Sequence, residues 1–597
     1  MSFPFGKNLW KYLLPVAALL PLPAFGQALA DHVPADAVIY LGWRGTADLG
    51  TGYDDSHLKS VLAKSQVDDL LHKSLPALFA SVDQNAPQVA PYTDMVAEIV
   101  PAIWSHPCAF FVSDLGLSRD DPPHPKVAIL CETGNDDDAT KLQQTLTNSV
   151  ANAPIKIFVD KTGTLVSIAT FDGAGTAPDQ TLAADSDFKT ALGQVHADCV
   201  LTGYFDLTKI ISQLDTLVAQ PSMDKESAEK WPLIKDALGL NGFHRIIVSE
   251  GFSGKDWLSQ AFIDAPVPRV GLSTLVNGTP LDKDLLHLIP AASVMAGAGS
   301  FDLGDFVKQV RIAATRIDPD TGKQLDQGFQ QINSTIGFDV EADLLDEFGT
   351  QWAFYVDPTT AGYGPLGAVI LNRPRDPDKL GTSLGKLEDM ANGFAGPALH
   401  NIFPLLTLQF KHDQVAGVDL HYLEVPLITP SWAIANGTWY FGLYPQVVVS
   451  AAKGAPTDAL IDSAAWLNLR KNLGGPDDIT GFGFVDIPKL APLSYQSLLM
   501  YSRLLLGAGD LVGLDSPPLV LPTLGDIVPD LEPAGAVSWV DDSGWHSNSI
   551  SAFPGDALFS IQGSPTDVLP ALISAGTAAR QGIAVPTPVA PPPNGGL

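Results

Sequence analysis

Between residues 303 and 336 the apolar residues recur at helical spacing. Phe306, Val310, Ala313 and Ile317 fall on one helix face, and Leu325, Phe329, Ile332 and Ile336 form a second stripe. The intervening DPDTG (Asp318–Gly322) reads as a turn, and Gly337 suits the position past a helix end. Asp339 is placed to cap a short helix running to Phe348, with Gly349 to stop it. QWAFYV (Gln351–Val356) and GAVIL (Gly367–Leu371) are β-branched and aromatic, the composition of buried strands. A Gly- and Pro-rich loop, Asp357–Leu366, joins them. A further helix is predicted from RDPDKL, with Asp376 as its cap and Pro377 in its first turn, where a missing N–H costs nothing. VDLHYLEV (Val418–Val425), WAIANGTWYFGLY (Trp432–Tyr444) and QVVVSA (Gln446–Ala451) read as strands, with Asn436-Gly437 as a hairpin turn. Helices first and consecutive strands after them point to α+β with antiparallel sheets, not to alternating βαβ units.

The same grammar occurs twice. Ala109–Val112 in HPCAFFVSD matches Ala353–Val356 in FGTQWAFYVDP, and VPADAV (Val33–Val38) matches IPAASV (Ile289–Val294). Asp48-Leu49-Gly50 answers Asp302-Leu303-Gly304, and the twenty-residue stretch from Val127 answers that from Ala368. YFDLTKI (Tyr204–Ile210) answers FVDIPKL (Phe484–Leu490), and Gly254–Pro266 answers Asp542–Pro554, with Trp257 set against Trp545. The matches keep one order, with offsets that grow smoothly. The expected organisation is therefore two tandem homologous modules, 31–288 and 289–555. Each is a mostly antiparallel sheet with helices packed on it, and an extension with a proline-rich tail follows at 556–597.

The chain has 597 residues and is 46% hydrophobic, enough for more than one packed core. Its formal net charge of -31 repels phosphate backbones and anionic headgroups, so nucleic acid is a poor partner. The first thirty residues carry Lys7 and Lys11, a short proline-broken apolar run and a small-residue ALA at Ala28–Ala30, the order of a secretory signal peptide. Its removal takes away two lysines and no acid. LLMYSRLLLG (Leu498–Gly507) contains Arg503 and is too short to span a bilayer, so no membrane span is expected after signal removal. The expected location is the periplasm or cell envelope.

Candidate chemistry is sparse. GTSLG (Gly381–Gly385) has the spacing of a nucleophile elbow around Ser383, but it follows a helix start, where the strand–turn–helix context is missing. The matched KLQQTL carries no glycines. His400, His412 and His421, with Asp413 and Glu424, are the densest ligand set, and their spacing fits no common zinc framework. GNDDDA (Gly134–Ala139) lacks the spaced oxygens of a calcium loop and suits a helix start, and DPDTG fails as a calcium loop for the same reason. Asp206 and Asp486 recur after strand aromatics and read as caps. The tryptophans Trp43, Trp104, Trp257, Trp352, Trp432, Trp439, Trp539 and Trp545 read as core residues. No catalytic, cofactor-binding or metal residue is assigned.

Cys108, Cys131 and Cys199 are the three cysteines. If Val112 lies opposite Val127 in an antiparallel pair, Cys108 lies opposite Cys131, close enough for a disulfide in some ladder positions. Trp352 and Asn372 occupy the matching places in the second module, so the module itself does not need a bridge. Cys199 reads as a buried strand thiol.

The Pro-Ala-Asp near the start, the LLDEFGTQWAFYV helix–strand junction and the strand leading into RDPDKL resemble a group of uncharacterised exported bacterial proteins that share a domain of unknown function (3352-type). That resemblance implies an extracytoplasmic, envelope-associated protein and transfers no catalytic residues. The expected role is a non-catalytic binding or structural module for a protein partner or an apolar small molecule. The alternative is an extracytoplasmic hydrolase whose site carries no motif.

Overall fold

The computed structural model describes residues 27–65, 103–118, 123–151, 155–196, 199–221, 224–395, 409–425, 428–510 and 521–557. Most of the expected signal peptide and C-terminal extension, together with His400, lies outside the described residues. The first half contributes strands β1 (Ile39–Trp43), β2 (Cys108–Asp114), β3 (Lys126–Glu132), β4 (Phe158–Thr162), β5 (Leu165–Ala169), β6 (Leu201–Asp206), β7 (Arg245–Ser253) and β8 (Asp256–Asp264). The second contributes β9 (Met295–Ser300), β10 (Gln351–Val356), β11 (Ala368–Asn372), β12 (Gln409–Val415), β13 (Val418–Glu424), β14 (Ser431–Ala435), β15 (Thr438–Gly442), β16 (Gly481–Val485), β17 (Ala534–Val540) and β18 (Gly544–Ser551).

All pairings are antiparallel, and the fold is α+β. The expectation of a separate sheet in each module is corrected: the eighteen strands form a single sheet, because β8 pairs along its length with β18. Left unpaired, these two long strands would each present a row of open backbone groups. From this seam the first side runs β8-β7-β6-β1-β2-β3-β5-β4. The other runs β18-β17-β16-β9-β10-β11-β15-β14, with the hairpin β13-β12 added outside. The order of connections is the same on both sides. At the middle of the seam, Gln260 Nε2 donates to Asn548 Oδ1 at 3.0 Å.

The helices used below are α1 (His57–Lys64), α2 (Asp136–Val150), α3 (Ser186–Leu192), α4 (Leu207–Val218), α5 (Lys225–Leu238) and α6 (Leu303–Ile317). They continue with α7 (Pro319–Ile336), α8 (Pro377–Met390), α9 (Pro445–Ala452), α10 (Ala464–Leu473) and α11 (Ile487–Asp510). On one sheet face of the first half, Tyr40, Phe111, Leu130, Tyr204 and Ile247 pack with Phe188 of α3, whose ring meets Tyr204 edge-on at 5.2 Å. On the other face Trp43, Cys108, Cys131 and Val166 pack with Ala139, Leu142 and Leu146 of α2. The second half repeats this layering, with Trp466 of α10 against Phe482 and Leu380 of α8 against the Phe348–Trp352–Trp439 cluster.

Several turn and cap expectations hold. Asp376 accepts from Lys379 N at 3.0 Å and starts α8, Gly337 closes α7 at φ 79°, and Asn436 and Gly437 turn the β14–β15 hairpin at φ 51° and 73°. Three expectations are corrected. QVVVSA is helix α9, because Pro445 starts a helix and Val447, Val448, Val449, Ala451 and Ala452 all find burial against β13–β15, overriding their strand preference. DPDTG is no separate turn: Asp318 caps α7 directly, and Gly322 lies inside the helix against Thr315. The stripes of α6 and α7 do form helices, yet Phe306, Val310, Leu325 and Ile332 stay exposed because α7 packs on α6 rather than on the sheet. Among the described residues no helix is long and apolar enough to cross a membrane.

The halves also clasp each other beyond the seam. Leu58 and Val61 of α1 pack with Ile527 and Leu531 of the second half, and α6 packs on α5 of the first.

Candidate functional site

The densest polar cluster with chemical potential lies on the added hairpin and α8. Glu388 continues the apolar stripe of buried Leu380 and half-buried Leu384, placing a carboxylate against the sheet. Its two oxygens are both used: Oε2 lies 2.8 Å from His421 Nδ1, and Oε1 accepts from Trp432 Nε1 at 2.7 Å. His421 stacks on Trp432 with centroids 3.9 Å apart, and His412, its direct cross-strand neighbour, stacks outside at 5.6 Å. The imidazole is thus held by a buried acid and an aromatic face.

The predicted ligand set divides. His412 and His421 come together, Asp413 sits one position along, opposite Leu420, and Glu424 pairs with Lys411 at 2.6 Å. Among the described residues no group of three or more His, Cys, Asp or Glu is placed to hold a metal. Ser383 is a buried residue in the interior of α8, so the helix reading of GTSLG stands and the elbow geometry is not formed. Glu388 escaped the sequence reading. The signal was an acid on an apolar helical stripe, four residues beyond Leu384.

Asp206 and Asp486 behave as caps. Asp206 Oδ1 accepts from Lys209 N at 2.9 Å and Oδ2 pairs with Lys209 Nζ at 2.9 Å; Asp486 makes the matching contacts with Lys489 at 3.3 and 2.7 Å. Each also sends its backbone N–H to the strand beside it, to Val38 O and Val294 O. The acids of GNDDDA occupy the first turn of α2, where they complement the helix dipole; the cap itself is Asn135, which accepts from Asp138 N at 2.9 Å. Of the tryptophans read as core residues, Trp43, Trp257 and Trp432 are buried, and Trp104, Trp352, Trp439 and Trp539 pack partly buried against the cores; Trp545, the counterpart of Trp257, is half-buried on β18 outside those clusters.

An open groove of about 420 Å³ runs between α4 and the start of β7, lined by Thr208, Ser212, Asp215, His244 and Arg245 among others. Its charges are committed. Arg245 pairs with Asp187 and Asp264, both at 2.7 Å, and Asp215 accepts from Lys235 and from Trp231, both at 2.6 Å. The Lys235 hydrogen bond is the main cause holding the Asp215 carboxyl below its ordinary range. An apolar pocket of about 20 Å³ beneath α2, lined by residues including Cys131, Leu142 and Val166, has room for no more than a water-sized occupant.

A titratable junction joins the halves. His57 of α1 lies 3.6 Å from Asp256 and 3.8 Å from Asp530, and Lys64 pairs with Asp530 at 2.6 Å. Nearby, burial pushes the Asp556 carboxyl up to about 6, with Asp256 adding to the rise.

No family model matches the sequence, and no curated protein or solved structure gives a match. The fold and site therefore define the class alone: an α+β protein on one broad antiparallel sheet whose polar clusters are tied into its own framework.

Proposed function

We propose that the chain is an exported envelope protein with a non-catalytic binding or structural role, built from a duplicated module spanning about 31–288 and 289–555. The observation that carries this reading is register. When the sequence matches are applied to the pairings of the first half, they reproduce those of the second. Gly42 opposite Ala109 becomes Ala298 opposite Ala353, Tyr40 opposite Tyr204 becomes Ala296 opposite Phe484, and Cys108 opposite Cys131 becomes Trp352 opposite Asn372. At the seam the match of Trp257 with Trp545 makes Gln260 the counterpart of Asn548, the residue it faces. What recurs is caps and core, such as Asp206 with Asp486 and Phe188 with Trp466; the Glu388–His421–Trp432 cluster occurs in the second half only, and in the first Val159 takes the place of Trp432. That recurrence supports a folding role for the shared residues.

A protein partner is favoured over an enclosed apolar ligand, because the cavity beneath α2 is too small for an organic molecule while α6 and α7 expose apolar side chains. The export signal is best cut upstream of Ala28: Ala30 is buried in the first core and Ala28 O accepts from Tyr40 Oη at 2.9 Å, so a cut after Ala30 would remove residues that pack. N-terminal sequencing of the exported protein is expected to show a processed start that retains Ala28–Ala30, and an unprocessed chain retained in the cytoplasm contradicts export. Purified protein assayed against chromogenic esters, phosphomonoesters and glycosides is expected to show no turnover. Turnover that disappears in Glu388→Gln contradicts the non-catalytic reading.

A further inference from the structure

We propose that Cys108 and Cys131 are joined by a cross-strand disulfide that staples, in the first half, the corner that Asn372 ties by hydrogen bonds in the second. The geometry begins with the ladder. Glu132 N donates to Pro107 O at 2.9 Å, so Pro107 and Glu132 are a hydrogen-bonded pair and their neighbours Cys108 and Cys131, directly opposed, are a non-hydrogen-bonded pair. Such pairs bring Cα atoms to about 4.5 Å and side chains closest together, inside the range a disulfide spans. The two sulfur atoms lie 3.0 Å apart, and both residues are buried.

The matched corner shows what the staple is for. Asn372, fully buried, accepts from Gly349 N at 2.9 Å and donates to Gly349 O at 2.9 Å and Gln351 O at 3.0 Å. It fastens the end of β11 to the chain running into β10. A Cys131–Cys108 bond fastens the same two segments, the end of β3 and the start of β2. Small size alone accounts for Cys108, which faces Trp43 across β1–β2, but it does not account for a second cysteine opposite it. A role as a reactive thiolate is disfavoured, since burial pushes the Cys108 thiol well up.

The bond requires a disulfide-bearing oxidant of the thiol–disulfide exchange class. One cysteine thiolate attacks the oxidant disulfide, forming a mixed disulfide and releasing one thiol. The second cysteine thiolate then attacks the protein sulfur of that mixed disulfide and expels the second thiol. Two protein thiols lose two electrons and two protons, and one oxidant disulfide becomes two thiols. Because α2 and Ile103 cover both sulfurs, exchange takes place on the folding chain.

The test uses the full chain, unfolded with dithiothreitol and refolded with or without glutathione disulfide, then digested without reductant. The expected result is a Cys108–Cys131 linked peptide after oxidative refolding that vanishes on reduction, with Cys199 recovered as a thiol. Cys108 and Cys131 both alkylated as thiols after oxidative refolding, or either one linked to Cys199, overturns the proposal. As a second readout, the wild-type chain is expected to melt several degrees higher when refolded oxidatively, while Cys108→Ala/Cys131→Ala melts alike in both conditions. An oxidised and a reduced wild type that melt together overturn the stapling role.

Discussion

The corner where β1 meets β2 and its counterpart where β9 meets β10 each carry one tryptophan, with the large and small residues exchanged between the strands. In the first half Trp43 stands on the inner strand opposite Cys108; in the second, Gly299 stands there opposite Trp352. Each indole fastens itself to a nearby carbonyl, Trp43 Nε1 to Trp104 O at 3.2 Å and Trp352 Nε1 to Phe301 O at 3.0 Å. Beside them, Cys131 and Asn372 hold equivalent register positions. The comparison teaches that an indole packed at the corner and a tie between two segments are kept, while the positions and residues supplying them change. Comparing identical residues alone therefore understates how alike the two sides are.

The sharpest way to break the comparison is Gly349→Ala. A Cβ there would run into Arg373 O, so the corner cannot close, and a loss of about 4 kcal/mol or more is expected in denaturant unfolding. The matched Ser105 already carries a Cβ, and Ser105→Ala is expected to change stability by less than about 0.5 kcal/mol. Next comes converting the second corner to the first: Trp352→Cys alone is expected to cost about 3 kcal/mol through the cavity it leaves, and adding Gly299→Trp to recover more than half. Failure of the double variant to recover would mean that the two corners are not exchanged versions of one packing.

A smaller effect separates the halves by pH. Asp556 has no counterpart acid, since Pro268 stands at the matching place in the first half. Its folded-state value of about 6 lies above the ordinary carboxyl range, so the folded chain keeps a proton that the unfolded chain has already lost. This contribution favours folding fully below about pH 4 and is lost as pH rises through 6, a swing on the order of 2–3 kcal/mol. Burial also raises Asp256, which acts in the same direction. Asp556→Asn is expected to flatten that part of the stability–pH curve while keeping an acceptor for Ala552 N; an unchanged slope between pH 4 and 6 contradicts it.

Local chemistry made much of this fold legible. Asp376, Asn436-Gly437 and Gly337 signal their caps and turns through backbone preferences that act over a few residues. The opposition of Cys108 and Cys131 followed from one paired position, because antiparallel register is arithmetic. What escaped depended on distant partners. QVVVSA became a helix once the sheet beneath it could bury its valines, and the apolar stripes of α6 and α7 could not announce that α7 would lie on α6. The union of both halves in one sheet rests on β8 meeting β18, more than the full length of a module apart in sequence. Glu388 was the missed part of the candidate site, since its two partners, on β13 and β14, are reached only in three dimensions.

That seam offers the most direct measurement. Ala265 N donates to Ser543 O, and strand alternation from that hydrogen-bonded pair makes Gln260 and Asn548 a non-hydrogen-bonded pair, suited to a disulfide. In Gln260→Cys/Asn548→Cys, oxidation and peptide mapping are expected to yield a link between residues 260 and 548, whereas Gln260→Cys/Ile550→Cys, two positions out of register, yields none. A link in the second variant and not the first would contradict the shared sheet and the equivalence of its two sides.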